Sequence, residues 1–435
     1  MRKAALIATN STMASNIAIG RGGVVAALGE VAVAAKHCTM ISNVASTKNA
    51  SDSTLTSGGA VYADGYATVA LSHCMLVSNS ARVGGAISAR GHSNLTTSDC
   101  AMSSNSAYWG GAVNVAGRSM MHASRCLLTW NVAVVIDIFR LTDGTAERGG
   151  AFCVSETSIV TTAGCTMESN SAYVGGALWV NDSSIFTAVN CAMVSNVAFA
   201  GGAILAKDDA LVVFADCTMT TNSAQGGGAI CAYSGGGLVT TDCTMTFNTA
   251  QNVGGAVFVD QGGHMNATGC MIASNSAGEF GGAVGSSGQD RVTTLVTTEC
   301  TMTFNTAPIG GAFYLNTFSI ATMTHSVINS NSASSGGGMA LFGNSDITIS
   351  HVEMASNIAA KGGAVYTEGS ATFTANDCAM TSNTAADSGG AVQVPDGCRV
   401  HLVSTVVEYN TATVSDHDPL RMIPTDRGTT STFLS

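Results

Sequence analysis

Cys100-Ala101-Met102-Ser103-Ser104-Asn105-Ser106-Ala107-Tyr108-Trp109-Gly110-Gly111-Ala112-Val113-Asn114-Val115 is the stretch that decides the fold. Its skeleton is Cys-x-Met-x-x-Asn-(Ser/Thr)-Ala-x-x-Gly-Gly-Ala-(Val/Ile)-x-(Val/Ala), and it returns along the whole chain. Asn-x-Ala recurs fifteen times from Asn16 to Asn410, mostly at intervals of 26 or 27 residues. Gly-Gly follows fourteen times, as at Gly84-Gly85, Gly175-Gly176 and Gly362-Gly363. A fixed period of this length marks stacked structural repeats rather than independent domains.

Alternation inside the repeat sets the facing. After Gly-Gly-Ala the second and fourth positions are apolar (Ile87 and Ala89, Leu178 and Val180, Val257 and Val259), while the residue between them varies (Ser88, Trp179, Phe258, Gln393). Period two with one apolar face is a strand. Cys and Met, two apart, form a second inward pair, and a third short strand fits around Ser184 to Thr187. Gly-Gly excludes a helical repeat and supplies positive φ and close packing at a corner. Asn takes another corner, where it tolerates the left-handed region. Stacked coils align these Asn side chains into an amide ladder. The expected fold is all-β: a right-handed, single-stranded parallel β-helix, a solenoid of about 14 coils of 26 residues. It spans residues 1–412, with loop insertions at 46–57 and 134–148 and a polar tail at 413–435.

Composition agrees with a narrow layered core. Gly numbers 50 and Pro 4, charged residues make up 10%, and aromatics 6% of the 435 residues. The formal net charge is −11 with 17 basic residues and no basic cluster, which argues against nucleic acid as a partner. Apolar stretches are interrupted by Glu30 and Asp137, so no membrane-spanning segment is expected. Eleven of the fourteen Cys share one repeat position, from Cys38 to Cys378, and read as small buried hydrophobes.

The Gly-Gly-Ala-(Val/Ile) half, as at Gly201 to Ile204 and Gly254 to Val257, resembles the repeats of the chlamydial polymorphic outer membrane proteins. That family pairs Gly-Gly-Ala-Ile with Phe-x-x-Asn; here Met replaces the Phe, as in Met193-Val194-Ser195-Asn196. The resemblance covers about residues 11 to 412. It implies a secreted β-helical adhesin, extracellular or on the cell surface. Neither end carries an obvious cap, so the chain reads as a segment of a longer protein.

Four features draw chemical notice. The two insertions should emerge along one edge of the solenoid, a binding face for a host or cell-surface protein or glycan, with the chain acting as a monomer. The position before the Cys points outward and reads His37, His73, Asp99 and later His325, His351, Asp377. Imidazoles and a carboxylate at coil spacing form a candidate divalent-metal site; no other cofactor is expected. Lys207 beside Asp208 and Asp209 is the best cluster for a polysaccharide lyase or hydrolase, the enzymatic alternative to an adhesin. Thr-x-Thr pairs (Thr218/Thr220, Thr244/Thr246, Thr301/Thr303) suggest ice binding, with Met271 and Ala273 breaking the array. A purely structural spacer is the remaining alternative.

Overall fold

The computed structural model describes residues 4–47, 56–133, 148–413 and 431–434. It divides into two units, Met1–Ser223 and Ala224–Ser435. Each is a right-handed parallel β-helix, and the chain makes about fifteen turns of about 26 residues in all. There is no helix among the described residues, and so none long and apolar enough to cross a membrane.

One turn of the first unit shows how the sequence bends the chain. Ile87–Ala89 leads through a turn at Arg90 to Ser93 into Asn94–Ser98. Asp99 then takes a φ of 52° and turns the chain into Ala101–Ser103. Ser104, at 55°, turns it again, and the short strand Ser106–Ala107 follows Asn105. Single left-handed residues between strands make sharp corners without a loop. Strands of this unit pair in parallel with their counterparts one turn away: Leu95 faces Val69 and Met121, and Met102 faces Leu76 and Leu128. The second unit repeats the plan, with Leu295 opposite Met265 and Ala321, and Met302 opposite Ile272 and Ile328.

The corner before the short strand differs from the expected arrangement. The repeat Asn is not the left-handed residue; the residue before it is, with φ between 54° and 58° at all fifteen places from Ser15 to Tyr409. The Asn is thereby turned inward. Asn105 Nδ2 donates to Asn131 Oδ1 at 3.0 Å and to the Leu76 carbonyl at 2.9 Å. Its own Oδ1 accepts from the backbone N–H and Nδ2 of Asn79, both at 3.0 Å. In the second unit Asn275, Asn305, Asn331, Asn357, Asn383 and Asn410 continue the same pattern. The ladder satisfies every polar atom of a buried amide, which is what permits it in the core.

Gly-Gly is required twice over. Gly84 has a φ of 63°, and a Cβ on Gly85 would lie 2.1 Å from the carbonyl oxygen of Gly111 in the next turn. No side chain fits there.

The cysteines are all free and buried. They do more than fill space. Cys126 N–H donates to Cys165 Sγ at 3.4 Å, and Cys165 N–H to Cys191 Sγ at 3.4 Å. Where Ser326 replaces Cys, its hydroxyl accepts the Cys300 N–H at 3.1 Å. The side chain satisfies the corner amide of the preceding turn, a job for any small acceptor.

The tail also departs from expectation. Ser431–Leu434 forms a strand antiparallel to Arg399–Val403 and covers that edge of the second unit. Of the two expected insertions, residues 48–55 and 134–147 lie outside the described residues.

Candidate functional site

The column before the Cys is a row of left-handed corners. Its occupants run Asn10, His37, His73, Asp99, Arg125, Gly164, Asn190 and Asp216 in the first unit. In the second they run Asp242, Gly269, Glu299, His325, His351, Asp377 and Ser404, and φ lies between 49° and 64° throughout. Asn, Asp, His and Gly are the residues that tolerate this conformation best. Backbone geometry alone therefore accounts for most of the residue types that suggested a metal.

The side chains of that column do meet. His37 and His73 have ring centroids 4.8 Å apart at 42°, and His325 and His351 4.8 Å apart at 32°. His73 Nε2 lies 3.9 Å from Asp99 Oδ2. Asp99, however, is engaged by Arg125, whose Nε and Nη2 donate to its two oxygens at 2.7 and 2.8 Å. That bidentate hydrogen bond holds the Asp99 carboxyl below its ordinary value. In the second unit His351 and Asp377 line one shallow depression with Glu353 and Ser404. No ion pair joins Asp377 to His351 among the described residues, and none of their His, Cys, Asp and Glu side chains converge in a group of three fit for a metal ion. Lys207 Nζ sits 3.3 Å from Asp208 Oδ2, with both side chains more than a third exposed, a surface ion pair.

The outer face of the Gly-Gly strands is not the free surface that alternation implies. Trp179 is 4% exposed and Ser88 fully buried. Side chains from just before Gly-Gly fold over this face. The Arg148 guanidinium carbon lies 4.5 Å from the Trp179 ring centroid and 5.9 Å from that of Trp109. In the second unit Val253 Cγ2 lies 2.5 Å from where a Cβ on Gly285 would stand. Tyr314 is sandwiched there between Phe280 (4.6 Å) and Phe342 (5.6 Å).

The first unit opens one cleft in this covered face. It has a volume of about 500 Å³ and is lined by Ile19, Gly20, Arg21, Ser46, Thr47, Ser57, Tyr62 and Arg90. Ser46, Thr47 and Ser57 are the points where the first insertion leaves the solenoid and returns to it. Sequence reasoning found the insertion but none of the cleft's other residues, which come from turns whose contact depends on the stacking.

A feature of the other corner went unread in the sequence. The residue before the repeat Asn is Ser in ten turns and Thr in one, but Trp130, Phe247, Phe304 and Tyr409 in the other four. These four have φ of 56° to 58° and side chains 61–81% exposed. The left-handed region costs any residue with a Cβ about 1–2 kcal/mol, serine included, and a bulky side chain there is uncommon.

A family model described as a right-handed beta helix region matches residues 176–352. No curated protein and no solved structure matches the chain.

Proposed function

We propose that this chain is a non-enzymatic binding and adhesion module displayed outside the cell, which uses a β-helix as the scaffold for side chains offered to a partner. The observation that carries the reading is the set of aromatic residues in left-handed corners. Trp130, Phe247, Phe304 and Tyr409 stand where serine serves the same left-handed corner in ten other turns, and they hold large aromatic side chains out in solvent. Strained residues with exposed aromatic side chains point to contact with something outside the molecule. Trp and Tyr are also the side chains that dominate binding energy at interfaces. Within the second unit Phe247 and Phe304 stand two turns apart in one column, about 10 Å. The resemblance to the repeats of the polymorphic outer membrane proteins supports the same reading.

The test is retention of the full chain on cell surfaces and on extracellular matrix, for the natural sequence and for Trp130→Ser/Phe247→Ser/Phe304→Ser. Retention lost in the triple variant supports the proposal. Equal retention, or cleavage of a polysaccharide by the natural chain that fails in Asp208→Asn, overturns it in favour of an enzyme or a spacer.

A further inference from the structure

The cleft at the root of the first insertion has the makings of a specific ligand site. Its volume of about 500 Å³ is in the range of small-molecule sites. Two of the chain's 17 basic residues, Arg21 and Arg90, line it together. Arg21 is held in an unusual way: its guanidinium carbon lies 4.9 Å over the Tyr62 ring, which the arginine covers. Its nearest carboxylate oxygen, Asp64 Oδ2, is 3.8 Å from Nη1, beyond hydrogen-bonding distance. That same oxygen accepts the Tyr62 hydroxyl at 2.8 Å. Burial and the Asp64 hydrogen bond push the Tyr62 phenol up to about 12, so it stays protonated and the arrangement persists across ordinary pH. The guanidinium thus rests over the ring and makes no hydrogen bond to Asp64. Arg90 is paired differently, with Nη2 at 3.1 and 3.4 Å from the two oxygens of Glu156.

The rest of the lining mixes hydroxyl side chains with apolar surface. Ser46, Thr47 and Ser57 contribute hydroxyls, and Ile19 is the one aliphatic wall. A guanidinium takes a carboxylate in two parallel hydrogen bonds. Hydroxyl side chains complement the hydroxyls of a sugar ring. We propose that this cleft binds an acidic sugar, its carboxylate on Arg21 and its hydroxyls toward Ser46, Thr47 and Ser57. The inference rests on the reading of the chain as a binding module and gives that module a ligand class: a carboxylated glycan residue.

The experiment titrates the full chain with methyl glucuronide, with methyl glucoside as the neutral counterpart and triglutamate as an acidic peptide. Binding should appear for the glucuronide, weaken as salt rises, and be absent for the glucoside. Arg21→Gln should weaken it about tenfold or more, since a charge-assisted pair is lost. Arg21→Lys should fall between, because it keeps charge but loses the fork and the stacking. Arg125→Gln, outside the cleft, should bind as the natural chain does. No glucuronide binding, equal binding of the glucoside, or an unchanged affinity in Arg21→Gln overturns the site. Tighter binding of triglutamate overturns the sugar and assigns the cleft to acidic peptides. Failure here with retention on cells intact removes the cleft alone. Glucuronide binding that survives in the triple aromatic variant separates the two surfaces.

Discussion

Two adjacent residues in every turn behave in opposite ways. The repeat Asn is the same residue at all fifteen places, while its predecessor ranges from Ser to Trp. Asn105 is fully buried and its side chain makes four hydrogen bonds to the turns above and below. Ser104 beside it has only to accept a φ of 55°. Sameness here records buried hydrogen bonding. Variation records a position where the backbone is constrained but the side chain is not. Four aromatic residues occupy this variable column, where serine fills most of the other turns.

The contrast can be broken from the buried side first. Gly85→Ala should do the most damage, because a Cβ has no room beside the Gly111 carbonyl. Loss of cooperative unfolding of the surrounding turns by hydrogen exchange is the expected result. Asn105→Ala should come next. It strands the amide groups of Asn79 and the carbonyl of Leu76, at a cost of about 3 kcal/mol or more in the unfolding of those turns. Cys165→Ala removes the acceptor of one corner amide and should cost about 1–2 kcal/mol, whereas Cys165→Ser should be close to neutral, since Ser326 already fills that role. Denaturant unfolding of the pair separates hydrogen bonding from simple packing.

On the exposed side the effects shrink. Asp99 is held below its ordinary value by Arg125, so its contribution to stability is present above the unfolded value and fades as pH falls toward the folded one. The pair is exposed, and Arg125→Gln should leave stability unchanged within error while the Asp99 titration midpoint, followed by NMR, moves up. A midpoint that stays in place would mean that the observed hydrogen bonds do not persist in solution.

Much of the solenoid was legible because its signals are local and repeated. Period, facing of Met102 and Ile87, and the amide ladder all follow from one turn read fifteen times. What depends on neighbouring turns was harder to read. The left-handed corner falls on Ser104 rather than Asn105, and serine carries no strong conformational signature. Trp179 looks outward by alternation, yet Arg148 from another turn covers it. The close approach of His37 and His73 followed from spacing, but Arg125, the next residue down that column, was the neighbour that mattered to Asp99. The cleft around Arg21 draws on residues far apart in the sequence, and only the stacked turns place Arg90 beside it.

In the proposed adhesion module the aromatic corners serve binding and not the fold. The most direct test of that claim is denaturant unfolding of Trp130→Ser/Phe247→Ser/Phe304→Ser beside the natural chain. Serine already serves this corner in ten turns, so the reading predicts a midpoint equal to that of the natural chain. A clear fall in the midpoint would mean that these side chains hold the solenoid together, and the claim would be wrong.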